Sequence, residues 1–302
     1  MGIKVLLPGA LTTVQDLGRF GYQQFGIPCS GVMDQRAYRT ANALLENKHN
    51  EAVLELTLFG GSYQFEESAV LAITGADMYP AINGTPCPMY RPVLVPAGGT
   101  LSFGMAKSGC RTYLAVSGGI DVPEVMGSRS TNMKCKIGGY QGRALLAGDV
   151  LPIGAIRTPY EYLEGKRAEA PDYPCDLVIR VIEGPQADCF SGNGISAFYH
   201  STYTVSEQSD RMGCRLTGPV IESKNGTDII SDGIVFGSIQ VTSSGMPIIL
   251  LADRQTTGGY AKIATVCTAD LPLLAQAKPG DTIRFRAISL ADAQALLASQ
   301  TS

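Results

Sequence analysis

The sequence predicts a mainly β chain built as two small β-barrel units related by internal duplication, with one or two helices in each. Three observations carry this. Most apolar runs are short and bounded by turns, in a chain of 302 residues with 35 Gly and 17 Pro. Helical periodicity is confined to a few places, which disfavours an alternating βαβ sheet. Three segments recur in the same order on either side of a proline-rich stretch.

Along the first half, Ile3 to Leu7 reads as a strand stopped by Pro8-Gly9. Glycines and aromatics between Thr12 and Ile27 imply tightly bent backbone, in which Asp16 and Arg19 either pair within a turn or line a site. From Asp34 the period changes. Ala37, Ala41, Leu44 and Leu45 share one helical face, with Asp34 or Ser30 as cap and Asn47 at the end. Ala52–Leu58 and Val70–Thr74 read as strands, the second ended by Gly75-Ala-Asp77, and Asn83-Gly84 signals a hairpin. Val93–Val95, Thr100–Phe103 and Thr112–Val116 are further strands. Gly127-Ser-Arg-Ser-Thr131 offers amides, hydroxyls and a guanidinium, enough to hold an anion, or it is an ordinary loop.

Residues 155–176 hold Pro159, Pro171 and Pro174 among many charges, which suggests a boundary. The expected division is a first unit over 1–158, a linker over 159–176 and a second unit over 177–302. In the second unit Leu177–Ile182, Tyr203–Val205, Ile229–Gln240, Ile248–Asp253, Ile263–Cys267 and Ile283–Ala287 read as strands. Leu290–Ser299 reads as a terminal helix, with Ser289 as N-cap and Asp292 in the capping-box position.

The stretch from Leu250 to Val266 is the most distinctive. An apolar run ends at Asp253-Arg254, followed by Gln255, Thr256, Thr257, Gly258, Gly259, Tyr260 and Lys262. Gly258-Gly259 alone suggests a hairpin turn. The density of hydrogen-bonding side chains exceeds what a turn needs, and loops on rigid scaffolds are where binding and chemistry concentrate.

The repeat pairs Thr13-Val-Gln-Asp-Leu-Gly18 with Thr204-Val205 and Ser209-Asp-Arg-Met-Gly213. It pairs Val70–Asp77 with Ile248–Asp253, and Pro96–Phe103 with Ala277–Phe285. A duplicated β unit is the economical explanation.

Composition excludes several classes. Net charge is −3 with scattered Lys and Arg, so no basic face suggests nucleic-acid binding. No apolar run approaches a membrane span, and the early Pro8 argues against a signal peptide, so a cytoplasmic location is expected. Eight well-spaced cysteines read as reduced thiols, and two distant histidines, His49 and His200, give no metal site and no Ser-His-Asp arrangement. The Met133-Lys134 pair has the wrong flanks for a biotinyl lysine. Neither G-x-x-x-x-G-K-[ST] nor a strand-borne G-x-G-x-x-G is present, so a self-sufficient nucleotide site is not expected.

Several motifs together resemble a known family. They are Thr12–Arg19, Gly31-Val-Met-Asp34, Ile73–Asp77 with Asn83-Gly84, Gly127–Thr131, Gly184-Pro-Gln186, Ser209–Gly213 and Ala252–Tyr260. The resemblance is to the carboxyltransferase A/B-subdomain family, also called allophanate hydrolase subunit 2-like, and runs from about Thr12 to Phe285. Ala261 and Cys214 depart from its usual Pro and aromatic. The resemblance implies two cyclophilin-like β-barrel units. It also implies work with partners: a B-type (KipI-like) subunit and, in the 5-oxoprolinase members, a third subunit. For a chain of this length it implies the C subunit of an ATP-dependent 5-oxoprolinase, inactive alone, with ATP bound at the level of the complex and no metal or covalently attached biotin in this chain. Two alternatives stay open: a KipA-type regulator that binds an inhibitor of a sensor histidine kinase, and the carboxyltransferase component of a biotin-dependent urea carboxylase-like enzyme.

Opening a cyclic amide needs a donor for charge developing on oxygen and a carboxylate for the N–H. Asp253 is the expected N–H partner or base, and Arg254 or Lys262 would offset anionic charge. Gln255 and Thr256 would add hydrogen bonds, and Arg215 would take a substrate carboxylate bidentately. Asp232, Asn83 and Gln240 are further substrate-binding expectations.

Overall fold

The computed structural model of the chain describes residues 2–301, which fall into two compact units. One comprises the residues up to Phe20 together with Ser30–Tyr173, the other Gly21–Cys29 together with the residues from Pro174 on.

The first unit contains eleven strands: β1 (Gly2–Leu7), β2 (Leu11–Gln15), β3 (Val53–Thr57), β4 (Ser62–Phe65), β5 (Ala69–Asp77), β6 (Ala81–Ile82), β7 (Thr85–Pro86), β8 (Pro92–Val95), β9 (Thr100–Ser102), β10 (Ser108–Val116) and β11 (Val150–Pro152). Helices α1 (Gln35–Leu44) and α2 (Tyr160–Leu163) complete it. Hydrogen bonding sorts the strands into a six-stranded sheet, β11-β1-β4-β9-β6-β7, and a five-stranded sheet, β2-β3-β10-β5-β8. The centre of the second sheet is apolar on both faces for a physical reason. Leu71, Ile73, Leu114 and Val116 point into one hydrophobic cluster with Ile3, Val5, Tyr63 and Phe65 of the other sheet. Their neighbours Val70, Ala72, Tyr113 and Ala115 point the other way, against Ala37, Tyr38, Ala41 and Leu44 of α1. A strand covered on both sides reads as a continuous apolar run, as β5 does.

Helix α1 starts where Asp34 Oδ1 accepts the Ala37 N–H at 2.9 Å. Beyond its end, Asn47 Nδ2 donates to Val116 O at 2.8 Å, tying the helix exit to β10. Gly75 sits at a bulge in the β5–β10 ladder with φ +84°. A Cβ there would lie 2.3 Å from Arg111 O. Gly75→Ala is therefore expected to cost about 2–3 kcal/mol in urea melts, from backbone strain plus overpacking.

The expected linker is not bare chain. Leu163 is fully buried in the cluster around α1, and Ala168 N donates to Tyr90 O at 2.9 Å.

In the second unit β12 (Asp176–Glu183), β13 (Tyr203–Val205), β14 (Gly213–Thr217), β16 (Ser238–Val241), β17 (Pro247–Leu250), β19 (Lys262–Val266) and β20 (Thr282–Ala287) form a closed barrel in the order β12-β19-β16-β17-β14-β13-β20. Its closing pair, β20 with β12, is parallel from Asp176↔Thr282 to Val181↔Ala287. Closure removes sheet edges. Between them in sequence, β15 (Asp228–Gly233) and β18 (Thr257–Tyr260) make a separate two-stranded ribbon. Helix α3 (Gly192–His200) packs on β20 by stacking Phe198 on Phe285, centroids 4.4 Å apart. Helix α4 (Leu271–Ala275) is short, and α5 (Leu290–Thr301) begins as expected, with Ser289 Oγ accepting the Asp292 N–H at 3.1 Å.

Each of the three repeated segments falls on a strand in both units: β2 and β13, β5 and β17, β9 and β20. Their pairings differ, since β9 lies antiparallel between β4 and β6 while β20 runs parallel to β12. Two local expectations need correction, and a third, left open, is decided. Gly258-Gly259 is not a turn but lies inside β18, paired with β15. The expected single strand Ile229–Gln240 is two, interrupted at residues 234–237. The Gly127–Thr131 loop does hold an anion, but it is Asp16 of the same chain. That carboxylate accepts from Ser128 Oγ at 2.6 Å, Arg129 N at 2.6 Å and Ser130 Oγ at 2.5 Å. Arg19 reaches the same loop through Nη2, which donates to Ser130 O at 2.9 Å.

All eight cysteines are thiols rather than disulfides. Cys135 and Cys175 are exposed, while Cys29, Cys87, Cys110, Cys214 and Cys267 are buried. Burial pushes the Cys87 thiol up to about 11. Ellman's reagent at neutral pH is expected to label Cys135 and Cys175 first, with the buried five reacting only on unfolding. No helix among the described residues is long and apolar enough to cross a membrane.

Candidate active site

The apolar run of β17 ends at Leu250, and the chain turns over Leu251–Arg254, where Arg254 N donates to Leu251 O at 3.2 Å. Successive side chains at this turn part company. Asp253 faces Arg211, in the bend before β14, and takes Nε at 2.9 Å and Nη2 at 3.3 Å. Asp253 N also donates to Arg211 O at 2.9 Å. Both side chains are nearly fully buried, 4% exposed for Arg211 and 9% for Asp253. The pair Asp253–Arg254 that adjacency suggests does not form.

Arg254 goes to the other side of the turn. Its guanidinium is 9% exposed and lies over the Phe236 ring, 5.7 Å from the centroid. Among the described residues it donates only to backbone: Nη1 to Leu251 O at 3.2 Å and Nε to Ile234 O at 3.4 Å. Among the described residues no carboxylate pairs with it. Burial lowers its pKa, with Cys29 opposing part of that shift. A buried cation without a counter-charge is expensive unless something anionic joins it.

Lys262, at the start of β19, is 4% exposed. Its ammonium bonds Asp232 Oδ2 at 2.5 Å and Gly233 O at 2.9 Å, both at the end of β15. The ammonium, then the Gly233 N–H and Gln186, hold the Asp232 carboxyl below its usual range. Gln186 Nε2 reaches the same oxygen at 3.3 Å, and its Oε1 accepts Lys262 N at 3.2 Å. Gln240 Nε2 donates to Tyr260 O at 3.0 Å, fixing the end of β18 against the barrel. Thr256 O accepts Ile234 N at 3.1 Å, so the turn of Arg254 and the interruption at 234–237 lie side by side. The side chains of Gln255 and Thr256 are half-buried and make no hydrogen bond among the described residues.

Two expected residues stand elsewhere. Arg215 lies on β14 itself, beyond the bend that carries Arg211. There it lines a hollow of about 200 Å³ with Ser206, Thr217, Thr242 and Ser244. Asn83 belongs to the first unit, where its Oδ1 accepts Thr100 N at 2.9 Å and holds the β6–β7 hairpin. Arg211 and Gln186 were not among the expected site residues, although both lie in glycine-flanked polar motifs of the sequence. Among the described residues no cluster of three or more His, Cys, Asp or Glu could hold a metal ion.

The arrangement offers a carboxylate locked by one guanidinium, a second guanidinium with unspent donors, a buried ammonium and two idle polar side chains. Taken singly, a carboxylate of this kind can accept an amide N–H and a guanidinium or ammonium can stabilise an anion.

Comparison with known proteins adds the following. Residues 25–287 match the family described as carboxyltransferase domain, subdomain A and B. A Haemophilus influenzae protein, named as the C subunit of 5-oxoprolinase, is 39% identical over 294 residues, 97% of this chain and 94% of that one. An Escherichia coli protein of the same name is 39% identical over 291 residues, 96% and 93% of the two chains. Among solved structures, the Kluyveromyces lactis urea carboxylase superposes with a TM-score of 0.90 at 34% identity, covering 99% of this chain and 28% of that one.

Proposed function

Because this chain belongs to the carboxyltransferase domain family of subdomains A and B, we propose that it is the C subunit of an ATP-dependent 5-oxoprolinase. In this reading it works with a B-type subunit and a third chain to open 5-oxoproline to L-glutamate. The observation that carries the reading is the near end-to-end match with two chains of that name. In this reading ATP is bound at the level of the complex.

The chemistry assigns roles to the second unit. Phosphorylation of the lactam oxygen by ATP activates the ring carbon. Water adds to that carbon and the C–N bond breaks as the ring nitrogen takes up a proton, leaving a γ-carboxyl phosphate that a second water hydrolyses to glutamate and phosphate. Asp253 is the acceptor for the lactam N–H. With both oxygens engaged by Arg211, it suits an orienting acceptor better than a mobile base. Arg254 takes the anionic charge, either the substrate carboxylate or charge developing on the amide oxygen, and Gln255 and Thr256 complete the hydrogen bonds. Lys262 holds Asp232 and the end of β15, and so shapes the site from behind.

A second reading, carboxyl transfer from biotin to urea, is favoured by the superposition on urea carboxylase. Urea, the biotin ureido ring and 5-oxoproline all present N–H beside C=O, so the same acceptor and cation could serve each. The two readings separate in one assay. Glutamate formation from 5-oxoproline and ATP that is indifferent to avidin supports the hydrolase, and avidin-blocked turnover supports carboxyl transfer.

A further inference from the structure

The first unit holds a cavity of about 570 Å³ away from any residue used above for chemistry. This is within the size range of small-molecule sites. Its wall comes from the end of β5 (Gly75, Asp77), the hairpin that follows (Tyr79, Pro86), Cys87, Met89 and Tyr90, and the segment after α2 (Ala168, Ala170, Pro171, Tyr173). Residues that read in the sequence as linker thus form one side of a cavity.

Its lining chemistry is uneven in a way that selects a ligand. Asp77 is the sole charged residue among those lining it. Asp77 Oδ1 accepts the Tyr79 N–H at 2.9 Å, while Oδ2 accepts nothing among the described residues. Three tyrosines line the same space. Tyr90 and Tyr173 are joined hydroxyl to hydroxyl at 3.4 Å, and Tyr90 takes Gly75 N at 2.9 Å. Burial raises the pKa of both phenols, which keeps their rings neutral. Tyr79 is the third: the residue is 60% exposed, and its backbone is held at φ +51°. A bulky aromatic in the left-handed region is uncommon and strained, and such strain concentrates at binding sites. The Asp77 cap on its N–H is what holds it there.

A carboxylate with an unspent oxygen, beside neutral aromatic faces and apolar walls, is complementary to a cation on an apolar body. We propose that this cavity binds a small organic amine in its ammonium form, with the N⁺–H on Asp77 Oδ2, the ring of Tyr79 against the charge, and the apolar part against Met89, Pro171 and the buried tyrosines.

The test uses the full chain, with benzylamine as the probe and benzyl alcohol as its neutral counterpart, titrated at pH 7 by calorimetry and by ligand-observed NMR. Saturable benzylamine binding is expected, with benzyl alcohol about tenfold weaker for want of the charge-assisted bond. Asp77→Asn keeps the acceptor for Tyr79 N–H and so preserves the turn; it should lower benzylamine affinity about tenfold and leave benzyl alcohol unchanged. Tyr79→Leu should weaken benzylamine about three- to fivefold through the lost aromatic face. Circular dichroism melts of both variants confirm that they are folded. Equal affinity for the amine and the alcohol, undiminished benzylamine binding by folded Asp77→Asn, or no saturable binding to the wild-type chain would each overturn the proposal. None of these outcomes bears on 5-oxoproline opening, which rests on residues of the other unit.

Discussion

Arg254→Met is expected to leave stability within about 1 kcal/mol of the wild type while lowering turnover of the reconstituted complex about 100-fold or more. The two effects separate because Arg254 has no carboxylate partner among the described residues and only two long bonds to backbone carbonyls. Removing a buried, uncompensated cation relieves desolvation, and methionine fills similar volume against Phe236. The loss of two weak bonds costs about 1 kcal/mol in the other direction. A guanidinium that served only the fold would give the opposite pattern, with a clear drop in urea midpoint and turnover unchanged per folded molecule. Single-turnover kinetics with a folded-fraction correction distinguish the two.

Asp253→Asn is expected to lose both stability, by about 3–5 kcal/mol, and turnover, because it removes the carboxylate charge paired with buried Arg211. The informative comparison is the double replacement Asp253→Leu with Arg211→Met. Swapping a buried ion pair for apolar groups of similar size is often neutral or better, so this variant should melt within about 1–2 kcal/mol of wild type. It should still be inactive, since the acceptor for the lactam N–H is gone. If the double variant regained turnover along with stability, Asp253 would be a structural anchor only.

What could be read in the chain beforehand follows the range of the interactions involved. Strands β5 and β10 and helix α1 were legible because their signals are local: a continuous apolar run, a helical period and an aspartate one turn ahead of Ala37. The terminal capping pair, Ser289 with Asp292, is local too. The site was legible as a place rather than as an arrangement. Asp253 and Arg254 stand out by adjacency, yet one turn sends them to different partners, and Arg211 lies 42 positions from Asp253. The Asp16 network was beyond local reading, because its partners Ser128 and Ser130 are 112 and 114 positions away. Gly258-Gly259 misled for a physical reason. Glycine pairs make tight turns, but here the missing side chain admits a close neighbour: a Cβ on Gly258 would lie 2.5 Å from Ile234 Cδ1. The proline-rich residues 159–176 look like linker by composition, but part of that stretch packs on the first unit through Leu163, Ala168 and Tyr173.

The central claim is that this chain, with its two partner chains, converts 5-oxoproline to glutamate. It is tested most directly by mixing the three purified chains with ATP and 5-oxoproline and measuring glutamate and phosphate together. The account predicts equal amounts of the two products, formed only when this chain is present. ATP-dependent turnover that proceeds equally well without it, or no glutamate from the complete mixture, would contradict the account.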